Sequence, residues 1–238
     1  MKSKDAYYSG DDLEIFQHAH NWKRYIKKQI APYFGRRVLE VGAGIGGTTT
    51  ELFADGTDLW VCLEPDAVLA KRLEDRKLDG SLPAAVEIRN GRLGEMELDM
   101  EFDTVLYIDV LEHIEDDRRE VSLAAKQLSQ SGHLIVMSPA HQWLFSALDT
   151  EVGHFRRYSR LTLADLTPEG SIQVRLRYLD STGLLASLAN RLVLKASLPT
   201  RRQILIWDRF MVPFSRILDP LLGHRAGKSI LAVWQKSA

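Results

Sequence analysis

Gly42, Gly44 and Gly47 fall in the run Val38-Leu39-Glu40-Val41-Gly42-Ala43-Gly44-Ile45-Gly46-Gly47, where a short apolar stretch empties into glycines. Glycine lets a backbone turn tightly and come close to a ligand, because no Cβ blocks a positive φ or the contact itself. The spacing satisfies G-x-G-x-x-G, a strand–turn–helix pattern that cradles a dinucleotide, although a purely structural turn fits it too. Two carboxylates narrow the chemistry. Glu64 closes the next apolar run, about the ~20 residues downstream at which an acid meets ribose hydroxyls. A carboxylate there can accept both hydroxyl hydrogens of an adenosine cofactor, nicotinamide dinucleotides included. Glu40 discriminates between cofactors, since its charge opposes a pyrophosphate and favours the ammonium of a methionine moiety, directly or through water. A paired or solvated carboxylate is the competing reading of Glu40.

These residues need elements to hold them in place. Strands are expected over 37–41, 59–63, 86–89, 102–108 and 133–137, with helices over 46–53, 67–77 and 116–129 between them. Asp66 is the expected N-cap of the second helix. Alternating strand and helix is the signature of a mostly parallel sheet covered on both faces, and right-handed crossovers make it a doubly wound α/β sheet. Before this run lies a helical pattern from about 12 to 34, broken at Pro32 and Gly35. After it come a short helix at 161–166, a strand at 172–178 and a final strand at 229–234. An insertion over 182–227 separates those two strands. Its stretches 184–198 and 203–222 are apolar at helical spacing and are expected to break at Pro199, Pro213 and Pro220. The chain therefore reads as one domain: an N-terminal helical lid (1–35), a cofactor-binding core (36–180), a helical insertion or cap (182–227) and a last strand (228–236).

Composition bounds the partners. A chain of 238 residues suffices for one substantial α/β core. Its formal net charge of −1 offers no general attraction to nucleic acid or anionic lipid, so such a partner would have to be met by a local patch. The single cysteine, Cys62, excludes an internal disulfide framework and a Cys-rich metal cage, and its apolar surroundings suit an inert buried thiol. No metal is expected. The first residues lack the apolar stretch of a signal peptide, and no window approaches the ~18 apolar residues of a membrane span, so a soluble cytoplasmic protein is expected.

The segment VLEVGAGIG resembles the first motif of the class I S-adenosylmethionine-dependent methyltransferase family, and Glu64 is similar to the acid of its second strand. Phe102-Asp103-Thr104-Val105-Leu106-Tyr107-Ile108-Asp109-Val110-Leu111-Glu112-His113-Ile114 is similar to the post-fourth-strand motif of the branch that methylates small molecules. The resemblance covers roughly 36–180 and 228–236. It implies a Rossmann-like, mostly parallel seven-stranded sheet with an antiparallel last strand, and S-adenosyl-L-methionine as cofactor. It also implies Gly42, Ala43 and Gly44 at the methionyl part with Glu40 beside them, and Glu64 with Pro65 at the ribose. Gly91, Arg92 and Leu93 would then cover adenine, and Asp109 with Val110 would sit by the sulfonium end. Many relatives carry an acid where the adenine loop begins; this chain has Asn90-Gly91-Arg92 there.

Residues for an acceptor follow the fifth strand, at the carboxyl edge where such sheets bind ligands. Pro139-Ala140-His141-Gln142-Trp143-Leu144-Phe145 precedes Gly153-His154-Phe155-Arg156-Arg157-Tyr158, a G-H-x-R-R-Y element resembling that of a bacterial methyltransferase subgroup. Histidine takes a proton near neutral pH, and arginine holds a carboxylate or phosphate in a forked geometry. The candidate bases are His154, His141 and His113 in that order, and Arg157 would orient an acidic acceptor. The plainer reading pairs Arg156 and Arg157 with Asp149 and Glu151, packs Tyr158, and lets His113 cap a turn. His18 and His20 read as surface or packing residues. Tyr7, Tyr8, Phe16 and Trp22 form either a lid or plain core. In the insertion, Trp207, Phe210, Met211 and Phe214 with Leu184, Leu188 and Leu192 suit an apolar acceptor pocket or a homodimer face. Arg191, Lys195, Arg201 and Arg202 suit contact with a membrane surface, and a cap completing the core is the simplest alternative. The resemblance implies methyl transfer to O or N of a small molecule, including natural-product or lipid-like acceptors. A non-catalytic S-adenosylmethionine-binding protein and an NAD-dependent oxidoreductase are the rivals.

Overall fold

In the computed structural model, residues 14, 16–96, 100–189 and 200–237 are described. Seven strands, β1 (Arg37–Val41), β2 (Leu59–Glu64), β3 (Val86–Asn90), β4 (Phe102–Ile108), β5 (Leu128–Pro139), β6 (Ser171–Leu179) and β7 (Ser229–Lys236), form one sheet in the order β3-β2-β1-β4-β5-β7-β6. The pairs β1–β2, β1–β4, β2–β3 and β4–β5 are parallel, and β7 runs antiparallel to both β5 and β6. This is the doubly wound sheet with an antiparallel last strand that the sequence predicts. The order reverses between β1 and β4, which opens a crevice beyond their carboxyl ends.

Side chains alternate across each strand and divide the core into two. Leu39, Val61, Leu63, Val105 and Tyr107 pack on one face. Val38, Trp60, Cys62 and Leu106 pack on the other. Strands buried on both faces read as continuous apolar runs, which is why RVLEV and LWVCLE show no polar alternation.

The helices are α1 (His20–Ile30), α2 (Gly47–Leu52), α3 (Ala67–Leu78), α4 (Asp117–Lys126), α5 (Ala147–Glu151), α6 (Arg160–Ala164), α7 (Ser181–Ala189), α8 (Arg201–Ile206) and α9 (Val212–Leu221). Asp66 caps α3 as expected, accepting from Val68 N at 2.8 Å and Leu69 N at 3.0 Å. Three boundaries differ. The helix expected over 116–129 stops at Lys126, because Leu128 already pairs with Phe102. The strand expected over 133–137 starts at Leu128 and runs through Gly132; a Cβ there would meet the Ser129 carbonyl oxygen at 2.9 Å, so the glycine serves a close backbone approach. Pro213 sits in the first turn of α9, where its missing N–H costs nothing. The interruption falls instead on a π-helical turn at Trp207–Met211. Leu192, Arg191, Lys195, Pro199, Tyr7 and Tyr8 lie outside the described residues.

Two buried carboxylates bind the insertion to α1. That helix has Ala19 at its N-cap and no side-chain cap of its own. Asp208 fills the role from the insertion, accepting from Trp22 N at 2.8 Å and Asn21 N at 3.1 Å. Asp219 takes the Asp180 and Ser181 N–H groups at the start of α7 (2.7 and 2.9 Å) and the Tyr25 hydroxyl at 2.8 Å. Ends of the chain that are distant in sequence thus form one roof over the crevice.

Candidate active site

A cavity of about 480 Å³ occupies that crevice, with Gly42, Gly44 and Glu64 on one wall, Asp109, His113 and His154 on another, and Trp22 and Trp207 in the roof. At its floor Gly42 has φ 70°, and Val110 Cγ2 stands 2.6 Å from where a Cβ would be, so no side chain fits. The Gly42 N–H donates to the Leu63 carbonyl at 2.8 Å, which fixes the turn against β2. Glu64 is buried at the end of β2, its Oε2 accepting from Gly44 N at 2.8 Å and its Oε1 from Asp66 N at 3.0 Å. Burial pushes this carboxyl above its ordinary range, and the two backbone donors oppose the shift. A carboxylate offers about four lone-pair sites. Two remain after the backbone has taken its share, as many as a vicinal diol needs.

The opposite wall is crowded with ionisable groups. Asp149 in α5 accepts from Arg157 Nε at 2.7 Å and Nη2 at 3.0 Å, and shares a 2.9 Å hydrogen bond with His154 Nδ1. Burial alone would raise its pKa, but those two partners outweigh it and hold the carboxyl well below the usual range. His154 Nε2 lies 4.0 Å from Glu112 Oε1. Burial, helped by the charge of Asp109, pushes the Glu112 carboxyl well up. Burial and the neighbouring His154 bring His113 down to about 3, so its ring is neutral at ordinary pH. Asp109 has φ 54° and lines the cavity; burial raises it to about 6 against the pull of His154 and Lys228.

Residues 39–134 match the family model described as a methyltransferase domain. That segment, from β1 into β5, carries a methyltransferase domain. An uncharacterized methyltransferase of Bacillus mycoides (strain KBAB4) is 24% identical over 135 residues; the match takes in 56% of this chain and 60% of that relative's length. Phosphoethanolamine N-methyltransferase 2 of Haemonchus contortus, solved with S-adenosyl-L-methionine, has a similar structure at a TM-score of 0.68 and 15% identity, covering 99% of this chain and 59% of that one. The N-methyltransferase NodS of Bradyrhizobium japonicum WM9 follows the same fold at 0.58 and 14%, covering 96% and 99%. So does the cyclase SpnF, at 0.63 and 16%, covering 91% and 81%. At these identities the likeness is one of fold.

In this methyltransferase domain the residues singled out from sequence separate into two groups. Gly42, Ala43, Gly44, Glu64, Pro65, Arg92, Asp109, Val110, His113, His154 and Arg157 all line the cavity. Glu40, Gly91, Leu93 and His141 are not among its lining residues. Glu40 is buried behind the glycine loop, its Oε2 accepting from Thr49 Oγ1 at 2.7 Å and Trp60 Nε1 at 2.8 Å; burial raises it to about 7. Gly91 instead donates its N–H to the Glu64 carbonyl at 3.1 Å, and Asn90 Nδ2 reaches the same oxygen at 2.8 Å. Leu93 packs in the core. The His141 ring bonds the Gly227 carbonyl at 3.0 Å through Nε2 and stacks on Tyr178, away from the cavity. Arg156 pairs with Asp117 at 2.6 Å rather than with Asp149 or Glu151, and buried Tyr158 donates its hydroxyl to Asp117 at 2.7 Å.

Phe16 and Trp22 line the cavity, and Trp22 also packs on Trp207 at 5.6 Å between ring centroids. Among the described apolar residues of the insertion, Trp207 alone reaches the cavity; Phe210 and Phe214 face solvent. Among the lining residues that escaped the sequence reading as site residues are Lys23, Glu112, Asp149 and Lys228. Glu112 carried a signal, adjacency to Asp109 and His113 in one motif. Lys228 carried none, because it enters the cavity only through the turn into β7.

Proposed function

We propose that this chain transfers a methyl group from S-adenosyl-L-methionine to an oxygen or nitrogen of a small molecule. The observation that carries the reading is the Glu64 carboxylate, held by two backbone N–H groups at a glycine floor that excludes side chains, with lone pairs left over for a ribose. When bound, the cofactor supplies a methyl group on a sulfonium, transferable by one in-line displacement with a neutral thioether leaving. Gly42, Ala43 and Gly44 hold the amino-acid end, Glu64 the ribose and Arg92 the adenine side, while Asp109 faces the sulfonium. Trp22 and Trp207 exclude water from above. The protein's main contribution is to align donor and acceptor, which can supply ~7–11 kcal/mol of the barrier.

Loss of a proton from the acceptor falls to the opposite wall. The Asp149 carboxylate on Nδ1 fixes the His154 ring, so Nε2 can take the proton of a hydroxyl or amine as the new bond to carbon forms. Arg157 is committed to Asp149, so in this reading it positions His154 rather than clamping a carboxylate of the acceptor. Calorimetry tests the donor side: S-adenosylhomocysteine should bind stoichiometrically and NADH should not. The reverse result would replace the reading with the oxidoreductase.

We further propose that the insertion lies on an anionic lipid surface and gives the cavity access to a lipid-like acceptor. Phe210, Phe214, Ile217 and Leu221 are 57%, 62%, 64% and 76% exposed, at spacings that share one helical face. Arg201, Arg202, Arg209, Arg216 and Arg225 accompany them, and the acids in that stretch, Asp208 and Asp219, are buried. An apolar face flanked by unopposed arginines suits an interface with anionic headgroups. No helix among the described residues is long and apolar enough to cross a membrane. Co-sedimentation with phosphatidylglycerol-containing vesicles should retain the chain and lose the Phe210→Ser/Phe214→Ser variant. A chain that ignores vesicles and instead dimerises through this face would overturn the idea.

A further inference from the structure

Glu112 and His113 close the turn after β4, and His154 arrives from beyond α5, about forty residues later in the chain. One donor atom from each, a carboxylate oxygen and two ring nitrogens, all lie within 4.8 Å of one another. The two imidazoles meet edge to face at 4.5 Å between centroids. Such crowding of one carboxylate and two imidazoles on a cavity wall calls for a physical reason.

The tautomer of His154 is set from outside the cluster. Asp149 Oδ1 receives the Nδ1 proton at 2.9 Å, so the Nε2 lone pair points at Glu112 and His113. Asp149 is in turn clamped by Arg157 through two hydrogen bonds and by Ser146 N and Oγ at 2.9 and 3.0 Å. A carboxylate behind the distal nitrogen of an imidazole is the usual support of a metal-binding histidine. Glu112 is fully buried, and among the described residues the His154 imidazole, at 4.0 Å, is the sole basic side chain within ion-pair distance of it. A buried carboxylate without a strong cationic partner is costly, and a bound cation removes that cost.

We propose that Glu112, His113 and His154 together hold one divalent first-row transition-metal ion, with Asp149 as the supporting carboxylate behind His154. Two imidazoles and one carboxylate form a three-sided set with open positions, which suits zinc, manganese or cobalt. Donors at about 2.1 Å from such an ion stand ~3.4 Å apart, so the 4.8 Å spread closes with small side-chain rotations. All three residues line the cavity, as does Asp109. This departs from the metal-free expectation of the sequence. It deepens the methyl-transfer reading and rests on it for its role: the ion binds the acceptor oxygen or nitrogen and lowers its pKa. The acceptor's proton then leaves to solvent, the acceptor lone pair forms the bond to the methyl carbon, and the carbon–sulfur bond breaks with its electrons on sulfur. In the loaded protein Nε2 of His154 is a ligand, and the ion takes over the base's task.

The full chain, stripped with EDTA and dialysed, is titrated calorimetrically with ZnCl₂, MnCl₂ or CoCl₂ alone, and the cobalt form is followed by its visible absorption. One ion per chain is expected, with micromolar or tighter affinity for at least one metal. Glu112→Gln and His154→Gln should each weaken it by at least tenfold, and Asp149→Asn by about 10–100-fold without removing a ligand. Circular dichroism and S-adenosylhomocysteine binding establish that each variant is folded. Wild-type protein that binds S-adenosylhomocysteine but none of the three metals overturns the cation site and leaves methyl transfer standing, as does binding unchanged in all three variants. Stoichiometric metal binding lost in these variants, in a chain that ignores S-adenosylhomocysteine, supports the site and overturns the methyl-transfer reading instead.

Discussion

The two walls of the cavity are built on different principles. On the Gly42–Glu64 side the backbone does most of the binding: N–H groups of Gly44 and Asp66 hold one carboxylate, and the neighbouring acid Glu40 is satisfied by Thr49 and Trp60. On the Glu112–His154 side, side chains from separate segments converge, and each perturbs the next. A wall made of backbone suits a constant ligand; a wall made of side chains is free to specialise. The difference predicts that changes on the first wall alter cofactor affinity, whereas changes on the second alter turnover.

The strongest way to break that division is His154→Ala. It should lower turnover by about 10²–10⁴-fold and leave the S-adenosylhomocysteine Kd within a few-fold, as calorimetry would report. Equal losses in both would mean that the walls are not separable. Glu40 probes the buried support of the first wall. Its carboxyl lies at about 7 in the folded chain against 4.5 for the ordinary group. The folded state therefore binds more protons than the unfolded chain between those values, and stability falls as pH rises through them. Glu40→Gln should remove that slope and gain on the order of 3 kcal/mol above pH 8, as urea melts of the cofactor-free protein at pH 5 and 8.5 would show. Glu64→Ala should weaken S-adenosylhomocysteine binding by at least tenfold, roughly the ~1.5–3 kcal/mol of hydrogen bonds to a charged group, with the fold intact. Asp208→Ala is the smallest, at ~1–2 kcal/mol in stability for a lost helix cap; its mark on the comparison is that both affinity and turnover decline together, because the roof serves both walls.

The first wall was legible in sequence because its determinants are local. A strand, a glycine turn and an acid at the next strand's end leave their spacing in the chain, and the sheet order and the Asp66 cap follow the same short-range logic. Glu40 was legible as an acid beside the glycines but not in its bonding, because alternation along β1 is visible in sequence while the partners Trp60 and Thr49 are not. The second wall was legible as a set of residue types but not as an arrangement. His141 and His154 look equivalent along the chain; only the fold turns one onto Gly227 and the other into the cavity. Lys228 and Asp208 act across the molecule through tertiary contacts that leave no periodic trace.

The contact between Asp208 and the start of α1 spans 187 positions of the chain. A ribosome adds roughly 5–20 residues per second, so the first helix waits on the order of ten to forty seconds for the carboxylate that completes its amino end. Until then its leading N–H groups must be satisfied by water, and the crevice below lacks half its ceiling. A nascent chain can assemble β1 to β5 in order of synthesis, yet it cannot enclose a small molecule until Asp208 has been made and has reached α1.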